Sequence, residues 1–337
     1  MIFVFVLVFG QSYSQDIVTE KDVKTTYVKK KLMKEAPKKV FINTFKVYYQ
    51  LIDSQSETKK GGRQVGGGAY KGDATATLAV GIKGVELNTL QEITNDFYNK
   101  LIADLEADGL EVFTAKTIKK IDYYQDHIIL EGPNMNQEQL EGYVMVAPEG
   151  YSYFVKGISK KGKEKKKFKL VNTNYKVSKQ LDDMIVVDVT IVIPSIWLKE
   201  GVNLAGAKVK GGADLKLAQS EIKTTNFVKQ TQIITEISFV SGKDKVAAMP
   251  ATSVSSALKK DVEISGVFSD EKFKSVANKD LDNTAEYGNI FEVDNRTVKV
   301  TNYIECENDV YKAKVSQAIE ELMNISYTNF RAVLKGK

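Results

Sequence analysis

A change of hydrophobic period between residues 74 and 115 constrains the fold of this chain more than any other feature. Apolar residues first alternate with smaller or polar ones, as in a strand, at Ala74, Ala76, Leu78, Val80 and Ile82. Beyond Gly84 they recur at three- and four-residue steps, as on one face of a helix, at Leu90, Ile93, Phe97, Leu101 and Leu105. The sequence therefore predicts a strand followed by an amphipathic helix.

Both ends of this helix carry boundary signals. Thr89 and Glu92 have the spacing of a capping box, in which each side chain accepts a hydrogen bond from the other residue's free backbone N–H. Gly109 can adopt the left-handed conformation that closes the last helical carbonyl groups. Residues 110–113 are then predicted to form a short strand that returns over the helix.

Strands outnumber helices in the rest of the chain. Apolar and β-branched runs predict strands at residues 40–52, 142–147, 151–158, 184–193, 225–240, 262–268 and 290–304. We expect residues 142–158 to form a hairpin around a Pro-Glu-Gly turn, and residues 53–73 to form a long glycine-rich loop. Helices are expected at residues 269–277 and 308–334. This pattern predicts an α+β fold with mixed, mostly antiparallel sheets, helices packed on one face, and more strand than helix.

Composition shifts divide the chain into four parts. An apolar run followed by small residues predicts an exported protein with a signal peptide at residues 1–14, the alternative being a buried N-terminal strand. Residues 15–39 are polar and lysine-rich, which predicts a flexible basic arm. We expect a main α+β domain at residues 40–245, and a C-terminal α+β segment at residues 251–337 that ends in a long helix.

The amino-acid inventory excludes several kinds of site. One histidine and one cysteine allow neither an intramolecular disulfide nor a cysteine-rich or multi-histidine metal centre within one chain, and we expect no cofactor. The 48 basic and 43 acidic residues leave a net charge of only +5, which argues against a nucleic-acid-binding protein.

Two groups of residues are candidates for catalysis. Asp188 lies in an otherwise apolar strand, where burial would favour its neutral form and acid–base chemistry, although a carboxylate facing water or a lysine is the alternative. Asp122, Asp126 and His127 could bind a divalent metal, although three dispersed ligands specify a metal geometry only weakly and a surface turn is the favoured alternative. A hydrolase that uses either group is our third hypothesis for the function.

Two patterns indicate contact surfaces instead. The most basic run of the chain could bind an anionic lipid or glycan through Lys160, Lys161, Lys163, Lys165, Lys166 and Lys167. Glycine clusters follow an apolar strand twice, which suggests a weak internal duplication of residues 40–82 at residues 184–217. The glycines of the two predicted hairpins that could contact a partner are Gly66, Gly67, Gly68, Gly211 and Gly212.

The order of two strands, a helix and the sequence Gly109-Leu110-Glu111-Val112 resembles the periplasmic α/β domain of curli-secretion-channel-type and related outer-membrane assembly proteins. In that family, hairpins from each subunit join into a membrane barrel. The resemblance implies that the hairpins at residues 61–72 and 199–212 insert into a membrane or contact another subunit. This chain differs from the family in having no acylated N-terminal cysteine after its apolar run.

Together these features predict a non-catalytic exported protein of the cell envelope, in the periplasm or at the outer membrane. It would bind a protein partner or itself through its sheet and hairpins. A ring-forming outer-membrane secretion or pore subunit is the second hypothesis.

Overall fold

The computed structural model describes residues 15–59, 74–165, 173–203, 206–225, 229–243, 251–270, 272–277, 300 and 302–336. The predicted signal peptide therefore lies outside the described residues.

The helices are α1 (Lys30–Met33), α2 (Leu87–Ala107), α3 (Asn174–Gln180) and α4 (Asn308–Leu334), with a 3₁₀ turn at Asp122–Tyr124. The strands are β1 (Val23–Val28), β2 (Lys39–Gln50), β3 (Ile52–Lys59), β4 (Ala74–Lys83), β5 (Glu111–Phe113), β6 (Ile128–Glu131), β7 (Asn134–Asn136), β8 (Tyr143–Ala147), β9 (Ser152–Val155), β10 (Gly157–Ile158), β11 (Glu164–Lys165), β12 (Ile185–Ile193), β13 (Ile196–Asn203), β14 (Gly206–Ala213), β15 (Lys216–Leu217), β16 (Ser220–Thr225), β17 (Lys229–Ile234), β18 (Glu236–Ser241), β19 (Thr252–Leu258), β20 (Val262–Glu263), β21 (Lys272–Lys274), β22 (Val276–Ala277) and β23 (Asn302–Glu305).

A central sheet organises these elements. Its strands follow the order β1-β19-β18-β12-β2-β8-β7, and β5 also pairs with β2. All pairs are antiparallel except β2 with β12 and β2 with β5, which are parallel. The two long helices, α2 and α4, pack on one face of this sheet, while the short α3 packs on the other face. The fold is thus α+β with more strand than helix, which confirms the predicted fold class.

The parallel pair of β2 and β12 forms the centre of the core. Its register runs from Ile185 opposite Val40 to Ile193 opposite Tyr49, with one irregularity beside Asp188. Alternate side chains of both strands are fully buried beneath the two long helices. A strand covered on both faces needs a nearly continuous apolar run, which explains why β12 was predictable from its composition.

The helices α2 and α4 lie parallel to each other. Lys312 pairs with Glu92 near their N-terminal ends, and Asp108 receives hydrogen bonds from Tyr327 and Arg331 near their C-terminal ends. The predicted apolar stripe of α2 is buried against the sheet, as the sequence requires. Among the described residues, no helix combines the length and the apolar character needed to cross a bilayer.

Each long helix follows a strand of a second sheet. β4 pairs with β3, β22 and β23, and its parallel partner β23 precedes α4 just as β4 precedes α2. Gly84 links β4 to α2 with a φ of +101°, and a Cβ atom at this position would lie 2.0 Å from the carbonyl oxygen of Cys306. The two strand-to-helix connections therefore touch through backbone atoms at a site that only glycine fits.

Three predictions about chain segments were wrong. Residues 15–39 are not a flexible arm, because β1 pairs with β19 and Met33 of α1 is fully buried in the core. The predicted main domain (residues 40–245) and C-terminal segment (residues 251–337) are not separate units, because β19 pairs with β18 and extends the central sheet. The predicted capping box does not form, since α2 begins at Leu87 and Thr89 is buried within it.

Three predictions of local structure were also wrong. β8 and β9 do not form a hairpin, because β8 pairs with β2 and β7 while β9 pairs with β6. Residues 272–277 form the short strands β21 and β22 and no helix. The predicted loop at residues 53–73 begins instead with β3, the partner of β4.

We predict that Gly84→Ala destabilises the fold more than Gly109→Ala. Both glycines have positive φ, so each substitution is expected to cost about 1–2 kcal/mol of left-handed strain. A Cβ at Gly109 would meet nothing within 4 Å, whereas at Gly84 it would overlap the Cys306 carbonyl and cost roughly 1–3 kcal/mol more. Urea denaturation of the two variants checks this difference, and equal losses of stability would contradict the contact.

Candidate functional site

The two central strands pass into hairpins at one end of the sheet. Because β2 and β12 are parallel and Tyr49 lies opposite Ile193, both strands terminate at the same end of the sheet. After Leu51 the chain enters the β3–β4 hairpin, and after Pro194 and Ser195 it enters the β13–β14 hairpin. Two hairpins therefore emerge side by side from neighbouring strands.

A buried glutamine ties these two exits together. The side-chain oxygen of Gln50 accepts hydrogen bonds from the backbone N–H groups of Ser195 at 2.9 Å and Ile196 at 3.0 Å. Gln50 is 2% exposed, so both bonds are shielded from water. One side chain at the end of β2 thus fixes the direction in which the chain leaves β12.

The hairpins stack face to face beyond this tie. Leu78 of β4 and Val209 of β14 are fully buried in the same core cluster. Gly211 allows the close approach, since a Cβ there would lie 2.4 Å from Leu198 and 3.2 Å from Leu78. Further out, the Gln55 side chain of β3 donates a hydrogen bond to Glu200 of β13.

A third hairpin, β16–β17, leaves the sheet beside the other two. The hydroxyl oxygen of Thr235, just before β18, accepts a hydrogen bond from the backbone N–H of Val192. The hydroxyl of Tyr143 in β8 donates to Glu221 of β16 at 3.0 Å. The tips of the three hairpins, at residues 60–73, 204–205 and 226–228, lie outside the described residues.

The glycines that were predicted to contact a partner lie in different places. Gly211 lies between the stacked hairpins and is buried, so it positions the hairpins and does not face a partner. Gly212 lies next to it in β14, opposite Trp197. The cluster of Gly66, Gly67 and Gly68 lies outside the described residues. The suggested duplication of pattern corresponds to the two strand-to-hairpin units built on β2 and β12.

Asp188 faces the side of the sheet away from the two long helices. Its carboxylate accepts hydrogen bonds from the side-chain amides of Asn43 at 2.7 Å and Asn174 at 2.5 Å. Asn43 in turn accepts a hydrogen bond from the Tyr124 hydroxyl. These bonds hold α3 and the 3₁₀ turn on the sheet, so the described contacts of Asp188 stabilise the packing of these two elements. Burial, followed by the charge of Asp188, raises the pKa of Glu236 on the adjacent strand.

The second catalytic candidate lies at the 3₁₀ turn. Asp122 begins the turn, and the ring of His127 packs edge-on to Tyr124 at 5.1 Å between centroids. Within the described parts of the chain, no three His, Cys, Asp or Glu side chains gather closely enough to hold a metal ion. The structure thus places Asp122, Asp126 and His127 in one short segment at the 3₁₀ turn.

The predicted basic run is an exposed turn with an inward-facing acid. Among its described residues, Lys160, Lys161, Lys163 and Lys165 are exposed, while Lys166 and Lys167 lie outside the described part. Glu164 instead points inward, forms a buried ion pair with Lys46 and accepts a hydrogen bond from Tyr153. Burial, and then the charge of Glu164, raises the pKa of Tyr153.

Gln50, Lys46 and Glu164 were missed in the sequence. Lys46 is a charged residue within the apolar run at residues 40–52, just as Asp188 is within its own strand. This signal could have predicted that Lys46 forms a buried ion pair. Glu164 is the one acid in its lysine run. Gln50 carries no sequence signal, because its role depends on the turn after β12.

A shallow cleft of about 430 Å³ lies at the start of α4. It is lined by Gly266, Val267, Glu305, Cys306, Glu307 and Val310. Burial raises the pKa of the Cys306 thiol to about 11, which keeps it protonated and unreactive at neutral pH.

A scan against protein-family models and searches of curated proteins and of solved structures found no match to this chain.

We predict that Gln50→Leu lowers the free energy of unfolding by about 2–4 kcal/mol, because two buried N–H donors lose their acceptor and each costs about 1–3 kcal/mol. Gln55→Leu is the matched control, since its hydrogen bond is exposed, and we expect a change within about 0.5 kcal/mol. Urea denaturation measures both. If the two variants lose equal stability, the tie at Gln50 is not a major constraint.

Proposed function

We propose that this chain is a non-catalytic, exported assembly protein of the cell envelope that joins to further copies through its paired hairpins. The observation that carries this proposal is that two unlike hairpins, β3–β4 and β13–β14, are held together at one end of the sheet. Their inner faces are used in stacking on each other, so their edges and outer faces remain for a partner.

Each of these hairpins has an open edge. Within the described residues, β3 pairs only with β4, and β13 pairs only with β14. An unpaired strand edge presents a row of backbone donors and acceptors that another strand can complete. Since β3 and β13 belong to different hairpins, pairing β3 of one copy with β13 of the next gives a head-to-tail contact, which builds rings or filaments.

The outer faces of the hairpins favour docking at a surface over insertion into a lipid core. On β3, the exposed side chains include Ser54, Ser56 and Thr58. On the second hairpin they include Lys199 and Lys210. A ring-forming pore subunit remains the alternative, supported by the resemblance of the strand and helix order, and it would assemble only with detergent or lipid.

The localisation is part of the same proposal. The apolar run at residues 1–9 and the small residues after it support export, and cell-envelope assembly is the role of the family that the chain resembles.

We predict that Gly211→Val abolishes self-association, because the added side chain would overlap Leu198, the Trp197 carbonyl and Leu78 and force the hairpins apart. Gly201→Val is the matched control on the same hairpin, since a Cβ there meets nothing within 4 Å. Size-exclusion chromatography with light scattering measures the mass of each form with and without detergent, and circular dichroism verifies folding.

We expect an oligomer without detergent for the native chain and for Gly201→Val, and a monomer for Gly211→Val. A native chain that stays monomeric under all conditions would contradict the proposal. A closed oligomer that forms only in detergent would support the pore subunit instead.

A further inference from the structure

The register of the second hairpin aligns lysines across three neighbouring strands. Lys199 of β13 lies opposite Lys210 of β14, and Lys210 lies opposite Lys274 of β21. All three side chains are exposed. Residues directly opposite on adjacent strands have Cβ atoms only about 5 Å apart, and like charges in such pairs destabilise a sheet.

Two further lysines lie on the same face. Lys208 and Lys272 each precede a lysine of the row by two residues, and residues two apart in a strand point to the same side. We call this surface the lysine face and define it as Lys199, Lys208, Lys210, Lys272 and Lys274. Its acidic neighbour Glu200 points to the opposite side, where it accepts the hydrogen bond from Gln55.

The charges of the lysine face are not neutralised within the described protein. None of its five lysines forms an ion pair with another described residue, whereas Lys216, a few residues further along, pairs with both Asp214 and Asp261. Asp214 and Asp261 are thus already paired with a lysine outside this face.

Protection of a strand edge does not explain this arrangement. Lysines do protect open edges from pairing, which would account for Lys199 on β13 and for Lys272 and Lys274 on β21, the other edge strand of this sheet. However, Lys210 lies on β14, which has a hydrogen-bonded strand on each side and no edge to protect. A row of repelling charges at the middle of a sheet indicates a negatively charged partner that lies across all three strands.

We propose that the lysine face binds the surface of an anionic phospholipid bilayer. Neighbouring strands lie about 5 Å apart and alternate residues about 7 Å apart, so the five lysines are spread over three strands, which suits a layer of headgroups better than one phosphate. Trp197, the one tryptophan of the chain, is half-buried on this face beside Gly212 and Lys272. Tryptophan rings favour the boundary between headgroups and acyl chains, which favours a bilayer over a soluble polyanion.

This inference is independent of self-association. The lysine face is an outer surface of side chains, whereas the proposed contact between copies uses the open backbone edges of β3 and β13. Either proposal can therefore fail without the other.

The test measures binding of the full chain to sedimented vesicles of phosphatidylcholine, with and without phosphatidylglycerol. The test variant carries Lys199→Gln, Lys210→Gln and Lys274→Gln. The control variant carries Lys24→Gln, Lys176→Gln and Lys260→Gln, which remove the same charge from exposed lysines elsewhere. Emission from Trp197 reports whether the lysine face itself meets the bilayer.

We expect the native chain to bind the anionic vesicles, with a blue shift of Trp197 emission, and not the neutral ones. Each lysine near an anionic surface contributes about fivefold, so the test variant should bind about a hundredfold more weakly while the control is unchanged. The test variant should also be at least as stable to urea as the native chain, because removing like charges relieves repulsion.

Four results would overturn the inference. These are no binding to anionic vesicles, equal losses in the two variants, binding without a change in Trp197 emission, and a test variant less stable than the native chain. If soluble dextran sulfate binds as tightly as the vesicles and shifts the emission equally, the lysine face recognises an acidic polysaccharide instead.

Discussion

The rest of the structure depends on the parallel pairing of β2 with β12. A parallel pair must be covered on both faces, and here one face meets α2 and α4 while the other meets α3 and the 3₁₀ turn. Because the strands run in the same direction, their ends coincide, and each end opens into a hairpin. The parallel pairing of β2 with β12 in the core therefore determines where the two hairpins lie.

The parts of the fold that could be predicted were those with a local hydrophobic period. The apolar stripe of α2, the helix at residues 308–334 and the continuous apolar run of β12 depend on neighbouring residues alone, and the structure confirms them. β3 was missed because all of its residues after Ile52 are polar, which is typical of a loop, and it becomes a strand only through pairing with β4. Likewise, residues 142–158 carry a turn signal, but β8 pairs with β2 and β7, and β9 pairs with β6.

The candidate site was predictable only in outline. The sequence predicted glycine-rich connections after β2 and β12, and the structure has a hairpin after each strand; nothing in the sequence shows that Gly211 lies against Leu78. The lysine face could not be predicted from the sequence, since Lys199, Lys210 and Lys274 are separated along the chain and become neighbours only through the register of three strands. The run at residues 160–167 attracted attention because its lysines are consecutive, and its structurally important member is the acid, Glu164.

Amide hydrogen exchange at the base of the hairpins tests the central claim most directly. If Gln50 ties the end of β2 to the start of β13, the backbone amides of Ser195 and Ile196 should exchange only when the whole core unfolds, as slowly as the amides of β12. Exchange of these two amides as fast as that of exposed turn residues such as Lys160 or Lys161 would show that the hairpins move independently of the sheet, and would contradict the tie at Gln50.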